Sequence, residues 1–549
     1  MFTQNVDPTG SLTTSALLAL LPLAAILVLL GVFKWKAHWA GLTALAIGLI
    51  VAIAAYDMPT GQAFNAAGYG ATLSVLLILW ITFNAIWIYN LTVHTGHFAV
   101  LRRTFFALSD DRRIQAVIIA FSFGALIEAL AGGGSPIAIC SVMLIALGFD
   151  PIKAATMALI GNTAPVAFGG MGNPMTVLGA TTGLSADDFG AMAGRQTSIL
   201  AVIVPFILIG IADGRRGLRE AWPAALTAGL SFGVTQFLLS SYFTYKLCDI
   251  FGALVSAGAV IALSKVWSPA RGVSMAAPPP AIAGGASDDP AFVRTIGPPE
   301  GDSRADQIRA ILPYAIVVLL FSLAQVDSIK TELAKGTHIF TWPGLHIAGP
   351  GGKPIATLYT FNYLSATGTL LFISGLLTLI ALRISPVAGA LVYGRTIRQF
   401  GWAILTIFAV FALSYVMNLS GQISTLGVWL SRAGGAFALL SPVVGWFGVT
   451  ITGTDAGANA LFGNLQVTAA THLHANPVLF ASAGSSGGVM AKMISPQNLA
   501  IGTAGVRQVG MEGVLFRKVF GWSVLFLLAV CVLAYLQSTP VLGWMRVGG

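Results

Sequence analysis

Long apolar runs, broken at intervals by single charges and glycine clusters, set the pattern of this chain. Stretches 12–33, 39–56, 66–93, 154–186, 221–245, 399–431, 456–491 and 519–545 contain no Asp, Glu, Lys or Arg. A helix needs about 20 such residues to cross the hydrocarbon of a bilayer, since each residue rises only ~1.5 Å. With the shorter runs, the pattern predicts an all-α polytopic membrane protein of about 12–14 transmembrane helices, some of them broken or re-entrant. The first run follows Asp7 rather than a basic segment and ends at Phe33-Lys34-Trp35-Lys36. It is expected to stay as an anchor rather than be cleaved as a signal peptide.

Two stretches depart from the pattern. Residues 268–308 are rich in Pro, Gly, Ala and charge, including Pro278-Pro279-Pro280 and Asp288-Asp289-Pro290. Such a segment buries little apolar area and is expected to be a flexible cytoplasmic linker. It divides the chain into an N-terminal membrane half, 1–267, and a C-terminal half, 309–549. Within the latter, 327–360 mixes Trp342 with Pro343, Pro350 and several glycines, which predicts an interfacial loop or hairpin on the outer side.

Charge refines this picture. Hydrophobic residues make up 56% of the 549 and charged residues 9%, too few for a soluble domain of this size. The net charge of +9 does not point to nucleic acid, because Lys34, Lys36, Arg102, Arg103, Arg112, Arg113, Arg215, Arg216, Arg395 and Arg398 lie in short connections between apolar runs. Connection 57–69 has no Lys or Arg. Basic connections stay in the cytoplasm, so the N-terminus is expected outside it. Cys140, Cys248 and Cys531 have no metal-like spacing and read as packing residues, and His472 and His474 lack acidic or Cys partners nearby in sequence. Gly169-Gly-Met-Gly172 follows no strand and no Gly-Lys-Ser or Gly-Lys-Thr is present, which argues against a nucleotide loop. No metal or other cofactor is expected.

Glu128, Asp455 and Lys492 stand alone in apolar surroundings beside glycines or a proline. A charge at bilayer depth costs roughly 2.5–3.5 kcal/mol on insertion scales unless it faces a polar cavity or a partner. The same neighbourhoods recur in both halves. Gly124 to Pro136, Asn162-Thr163-Ala164-Pro165 and Asn173-Pro174 are matched by Gly448 to Asn459, Gly484 to Gly488, and Lys492 to Gln497. Paired interruptions of this kind predict two related, inverted halves enclosing a midplane site for a small organic anion.

Broken-helix N-termini would cradle a carboxylate and Lys492 would supply full charge. Asn162, Thr163, Asn459, Ser485, Ser486, Ser495 and Gln497 are candidate polar contacts; the competing reading is helix–helix hydrogen bonding. Glu128 and Asp455 are candidate proton carriers, because burial disfavours a charged carboxylate and lets it gain a proton on one side and release it on the other. A permanent Asp455–Lys492 pair, leaving Glu128 to titrate, is the alternative. Sodium held by carbonyls beside Thr454, Asp455 and Asn459 competes with the proton as coupling ion. An intramembrane enzyme is a third class, for which no nucleophile elbow is visible.

At these motifs the chain resembles the bacterial lactate permease family, which includes glycolate permeases. The resemblance runs from Gln4-Asn5-Val6-Asp7-Pro8 through Gly124 to Pro136 and Asn162 to Gly172. It resumes with Thr452-Gly453-Thr454-Asp455, Asn459 to Phe462, Gly487-Gly488-Val489 and Lys492-Met493-Ile494-Ser495-Pro496-Gln497. It implies uptake of L-lactate, with D-lactate or glycolate as further substrates, by proton symport through the inner membrane. The chain departs from the family pattern at Gly133, where the pattern has Phe, and at Ala456-Gly457-Ala458, where small hydroxylated residues follow the acid. Asn173 replaces an apolar residue. These departures bear on which short carboxylate is carried.

Overall fold

The computed structural model describes residues 1–549 apart from Val32, Lys34, Ala107, Gly133, 270–302, Gln325, Phe400, Arg507, Val509 and Gly549. Most of the expected linker, and Gly133, thus lie outside the described residues. Arg304 opens a helix whose first turn is closed by reciprocal hydrogen bonds between Ser303 and Asp306, which satisfy otherwise orphaned N–H groups.

The N-terminal half runs α1 (Leu12–Gly31), α2 (Ala37–Ala54), α3 (Thr60–Ser74), α4 (Trp80–His94), α5 (His97–Phe106), α6 (Arg112–Val117), α7 (Gly124–Ala131), α8 (Ser135–Ala146), α9 (Pro151–Gly161), α10 (Gly169–Thr182), α11 (Ala186–Glu220), α12 (Trp222–Tyr242) and α13 (Cys248–Val266). The C-terminal half runs α14 (Arg304–Leu323), α15 (Asp327–Ala334), strands within 337–362, α16 (Thr367–Ala381), α17 (Pro386–Gln399), α18 (Gly401–Ser420), α19 (Gln422–Ser431), α20 (Phe437–Thr452), α21 (Asp455–His472), α22 (Pro477–Ala491), α23 (Pro496–Gly505) and α24 (Glu512–Ser538).

Among the described residues, eight helices are long and apolar enough to cross a membrane, or nine if the α18–α19 pair, bent by 72° at Gly421, counts as one. Other apolar runs fold as shorter helices, such as Pro136–Ala146 and Pro151–Gly161. Wide π-helical turns at Val75–Leu79 and Ile118–Phe123 carry α3 into α4 and α6 into α7. The span Arg112–Leu130 differs from the rest. Its apolar window is completely buried in protein, whereas the other full-length spans bury less than half of theirs.

One order of helix breaks occurs twice along the chain, once before residues 270–302 and once after them. The helix α7 ends at Gly132 and α20 at Gly453, both glycines at positive φ, a conformation that a side chain would strain. Next come α8 in one half and α21 in the other. Then follows a helix started by an Asx-Pro pair, Asp150-Pro151 for α9 and Asn476-Pro477 for α22, in which the Asx side chain caps the first turn. A short 3₁₀ turn follows, Val166–Phe168 or Lys492–Ile494, and then α10 or α23. Packing across the halves is reciprocal, with α10 against α21 and α23 against α8.

One end of the molecule is covered by strands. The strand β1 (Phe2–Thr3) pairs in parallel with β3 (Ile347–Ala348), and β2 (Thr337–Thr341) pairs antiparallel with β4 (Leu358–Asn362) in register Thr337 to Asn362. Gln62 and Asn65 of α3 donate to the carbonyls of Gly344 and Pro343. The N-terminus, the α2–α3 connection and the 337–362 strands therefore share one face.

Candidate functional site

The wholly buried α6–α7 span delivers Glu128 one turn before the Gly132 break. The 3₁₀ turn after α22 delivers Lys492. Lys492 Nζ donates to Glu128 Oε1 at 2.6 Å, with both side chains almost fully buried. With its amide turned to satisfy both neighbours, Asn162 donates to Glu128 Oε2 at 3.3 Å and accepts from Lys492 Nζ at 3.2 Å. Gly169 packs its backbone on the acid, and a Cβ there would lie 2.6 Å from Glu128 Oε1. The alternative pairing expected from sequence, Asp455 with Lys492, is thus replaced by Glu128 with Lys492. Burying an ion pair is tolerable only with such geometry and added hydrogen bonds, and the Asn162 amide supplies them.

Asp455 opens α21 and takes a different partner. Its Oδ2 accepts from Ser485 Oγ at 2.5 Å, and Ser485 accepts from Asn459 Nδ2 at 3.1 Å. Asn459 also donates to the Pro174 carbonyl, tying α21 to the start of α10. Asp455 Oδ1 and Asn173 Oδ1 are buried with no hydrogen-bond partner among the described residues.

Both of these residues line a cavity of about 230 Å³, together with Glu128, Lys492, Gln497 and Thr454. Its other walls are largely apolar, with Ile78, Val166, Ile407 and Phe411 among them, and Thr82, Thr406 and Thr452 add hydroxyl-bearing side chains. The cavity touches the starts of α10 and α21 and the first residues of α23, so the positive ends of helix dipoles lie around it. Backbone strain marks the same spot. Gly170, Met171 and Gly172 all have φ between +55° and +73°, and Met171 holds that conformation with a side chain attached.

Not every candidate reaches the cavity. Glu128, Asp455, Lys492 and Gln497 line it, Asn162 bridges the ion pair, and Asn459 and Ser485 stand behind Asp455. Ser486 instead donates to Gln196 Oε1 of α11, Ser495 caps α23 through the Asn498 N–H, and Thr163 bonds back to the Leu159 carbonyl. Another buried acid went unnoticed in the sequence. Asp249, at the start of α13, accepts from Gln236, which in turn accepts from Thr197 and Ser198. Lys246 and Asp249 stand close together in sequence, and this masks the isolation of the acid inside the fold.

The sequence model of the L-lactate permease family matches residues 15–541. The chain belongs to that family. It is 39% identical to the glycolate permease GlcA of Escherichia coli strain K12 and 38% identical to the L-lactate permease of Bacillus subtilis strain 168. Each match covers 99% of both chains. Among solved structures, Neisseria gonorrhoeae MtrF superposes over 91% of this chain and 95% of its own, at 13% identity and a TM-score of 0.50, a likeness of fold alone. Members of this family are permeases, so the chain is a multi-pass integral membrane transporter rather than an enzyme.

Proposed function

We propose that this permease imports a short 2-hydroxycarboxylate, L-lactate first and D-lactate or glycolate after it, together with a proton, across a bacterial inner membrane. The names carried by its relatives, L-lactate permease and glycolate permease, support the cargo. The observation that carries the mechanism is the buried Lys492–Glu128 contact on the wall of the central cavity.

An incoming carboxylate competes with Glu128 for the Lys492 ammonium. Once displaced, Glu128 is an unpaired carboxylate in a low-dielectric site, and taking a proton removes that penalty. One anion and one proton then move together, and the charge of the site is unchanged. In both the empty and the loaded state, neither Glu128 nor Lys492 is left as a lone buried charge. On the far side, loss of the anion lets Glu128 return to Lys492 and release the proton.

The unpartnered oxygens of Asp455 and Asn173 support a hydroxylated cargo. Each is an unpaired acceptor on a cavity-lining residue, which a donor from the substrate would satisfy. The reciprocal contacts of α10 with α21 and α23 with α8 support two related halves that rearrange about this point. The basic connections support a cytoplasmic location for Arg112, Arg113, Arg215 and Arg216, with the strand-covered face outside.

The test is uptake of labelled L-lactate into proteoliposomes under an imposed pH gradient, acid outside. Accumulation is expected with the gradient and not without it. A sodium gradient at fixed pH that drives accumulation alone would sink proton coupling. In Lys492→Ala, uptake is expected to fall at least roughly tenfold, the size of one charge-assisted contact.

A further inference from the structure

A second cavity, of about 220 Å³, lies beside the central one. The two are neighbours across Ile81, which lines both. The second cavity is roofed by Leu358, Tyr359, Thr360 and Asn362 of β4, so it belongs to the strand-covered face. Its floor comes from α3, α10 and α18 through Tyr69, Thr176 and Tyr415. Into it projects one cation, Lys246, from the α12–α13 connection.

The polar groups of this cavity divide into used and unused. Tyr69 donates to the Leu358 carbonyl and Thr176 pairs with the Tyr245 hydroxyl. Lys246 Nζ makes no ion pair or hydrogen bond among the described residues, and neither does the Tyr359 hydroxyl. Burial pulls the Lys246 ammonium below its usual pKa, Asp187 opposes that shift from a distance, and Lys330 adds to it. The nearest counterpart of Lys246 Nζ is the Tyr245 ring, 5.9 Å away at its centroid. A half-buried ammonium with no carboxylate in contact is a poor arrangement for stability alone, because a ring face at that distance offsets little of its partial desolvation. A bound anion would offset it.

We propose that this cavity is an outer antechamber that binds the carboxylate before it passes Ile81 to the Lys492–Glu128 site, with Lys246 as the capturing charge and the Tyr359 hydroxyl as a hydrogen-bond donor. The ligand class is a small monocarboxylate. A larger anion is disfavoured by the volume of about 220 Å³, which falls below the roughly 300–1,000 Å³ of drug-sized sites. Lys246 contributes to entry and not to coupling, since Glu128 lies in the other cavity. This assignment rests on the reading of the strand-covered face as external and of the cargo as a short carboxylate.

The experiment has two arms. In proteoliposomes, Lys246→Gln is expected to raise KM for L-lactate roughly three- to tenfold, as for one partly screened charge contact, with Vmax within about twofold. The fall of native kcat/KM with rising ionic strength is expected to flatten in Lys246→Gln and to return in Lys246→Arg. In the second arm, Lys246→Cys is exposed in right-side-out vesicles to a membrane-impermeant thiol reagent. The native chain serves as background, since Cys140, Cys248 and Cys531 are all buried. Labelling from outside, slowed by saturating L-lactate, supports the antechamber.

Native KM and native salt dependence in Lys246→Gln would overturn it, as would labelling that lactate does not slow or that occurs only from the cytoplasmic side. If the native chain carries neither lactate nor glycolate, the cargo assignment fails separately. The antechamber is then judged by labelling with acetate as the competing anion: protection supports it and its absence overturns it.

Discussion

Lys492 and Glu128 meet at 2.6 Å although 364 residues separate them in the chain. Each comes from a broken region of a different half, and each faces the same cavity. The contact answers for both charges at once, which is why neither needs to reach water at the membrane surface.

Replacing the acid by its amide separates coupling from binding. Glu128→Gln keeps the shape but cannot exchange a proton or neutralise Lys492 without a bound anion. Gradient-driven accumulation of L-lactate is expected to disappear, while exchange of external for internal lactate persists. In Asp455→Asn, accumulation is expected to keep its dependence on the pH gradient, because Asp455 touches Ser485 and the cavity rather than Lys492. The opposite pattern in the two variants would transfer the coupling role to Asp455.

The Asn173 amide bears on recognition of the substrate hydroxyl. Competition of L-lactate against propionate, which lacks that hydroxyl, measures it directly. Asn173→Ala is expected to narrow the preference for lactate roughly three- to tenfold, the range of one neutral hydrogen bond. An unchanged ratio would assign the hydroxyl to another group.

Gly169 has a steric reason to be glycine. An added Cβ would stand 2.6 Å from Glu128 Oε1, so the carboxylate must move away from Lys492. Uptake in Gly169→Ala is expected to fall roughly tenfold with protein levels in the membrane intact, as for a weakened charge-assisted hydrogen bond. Native uptake would show that the pair has slack.

At the face carrying the basic connections, buried Arg113 binds Asp111, Asp213 and Glu220 at 2.9, 3.0 and 2.9 Å. This cluster joins the start of α6 to the kink in α11 at Asp213-Gly214. Removing the cation takes from buried Asp111 its charged partner and leaves it the backbone N–H of residue 113; breaking a buried pair typically costs about 3–5 kcal/mol. Arg113→Ala is therefore expected to unfold at a clearly lower temperature in detergent. An unchanged midpoint would mean that the acids find other partners.

The sequence by itself determined the solvent, the rarity of internal charge and the places where helices break. Apolar runs, capping residues and glycines act locally, and their meaning survives without knowing what lies opposite. It also marked Glu128, Asp455, Lys492 and Gln497, because an isolated charge or amide in an apolar run stands out in one dimension. Only the tertiary structure decided that Lys492 takes Glu128 and not Asp455, since partner choice depends on which helix ends packing brings together. Only the structure separated the completely buried Arg112–Leu130 span from lipid-facing ones. Lipid and protein interior are both apolar, so the two kinds of helix are written in the same residues. The same ambiguity hid the roles of Ser486 and Ser495, whose hydroxyls suit a cavity wall or a helix contact equally until a neighbour is placed beside them.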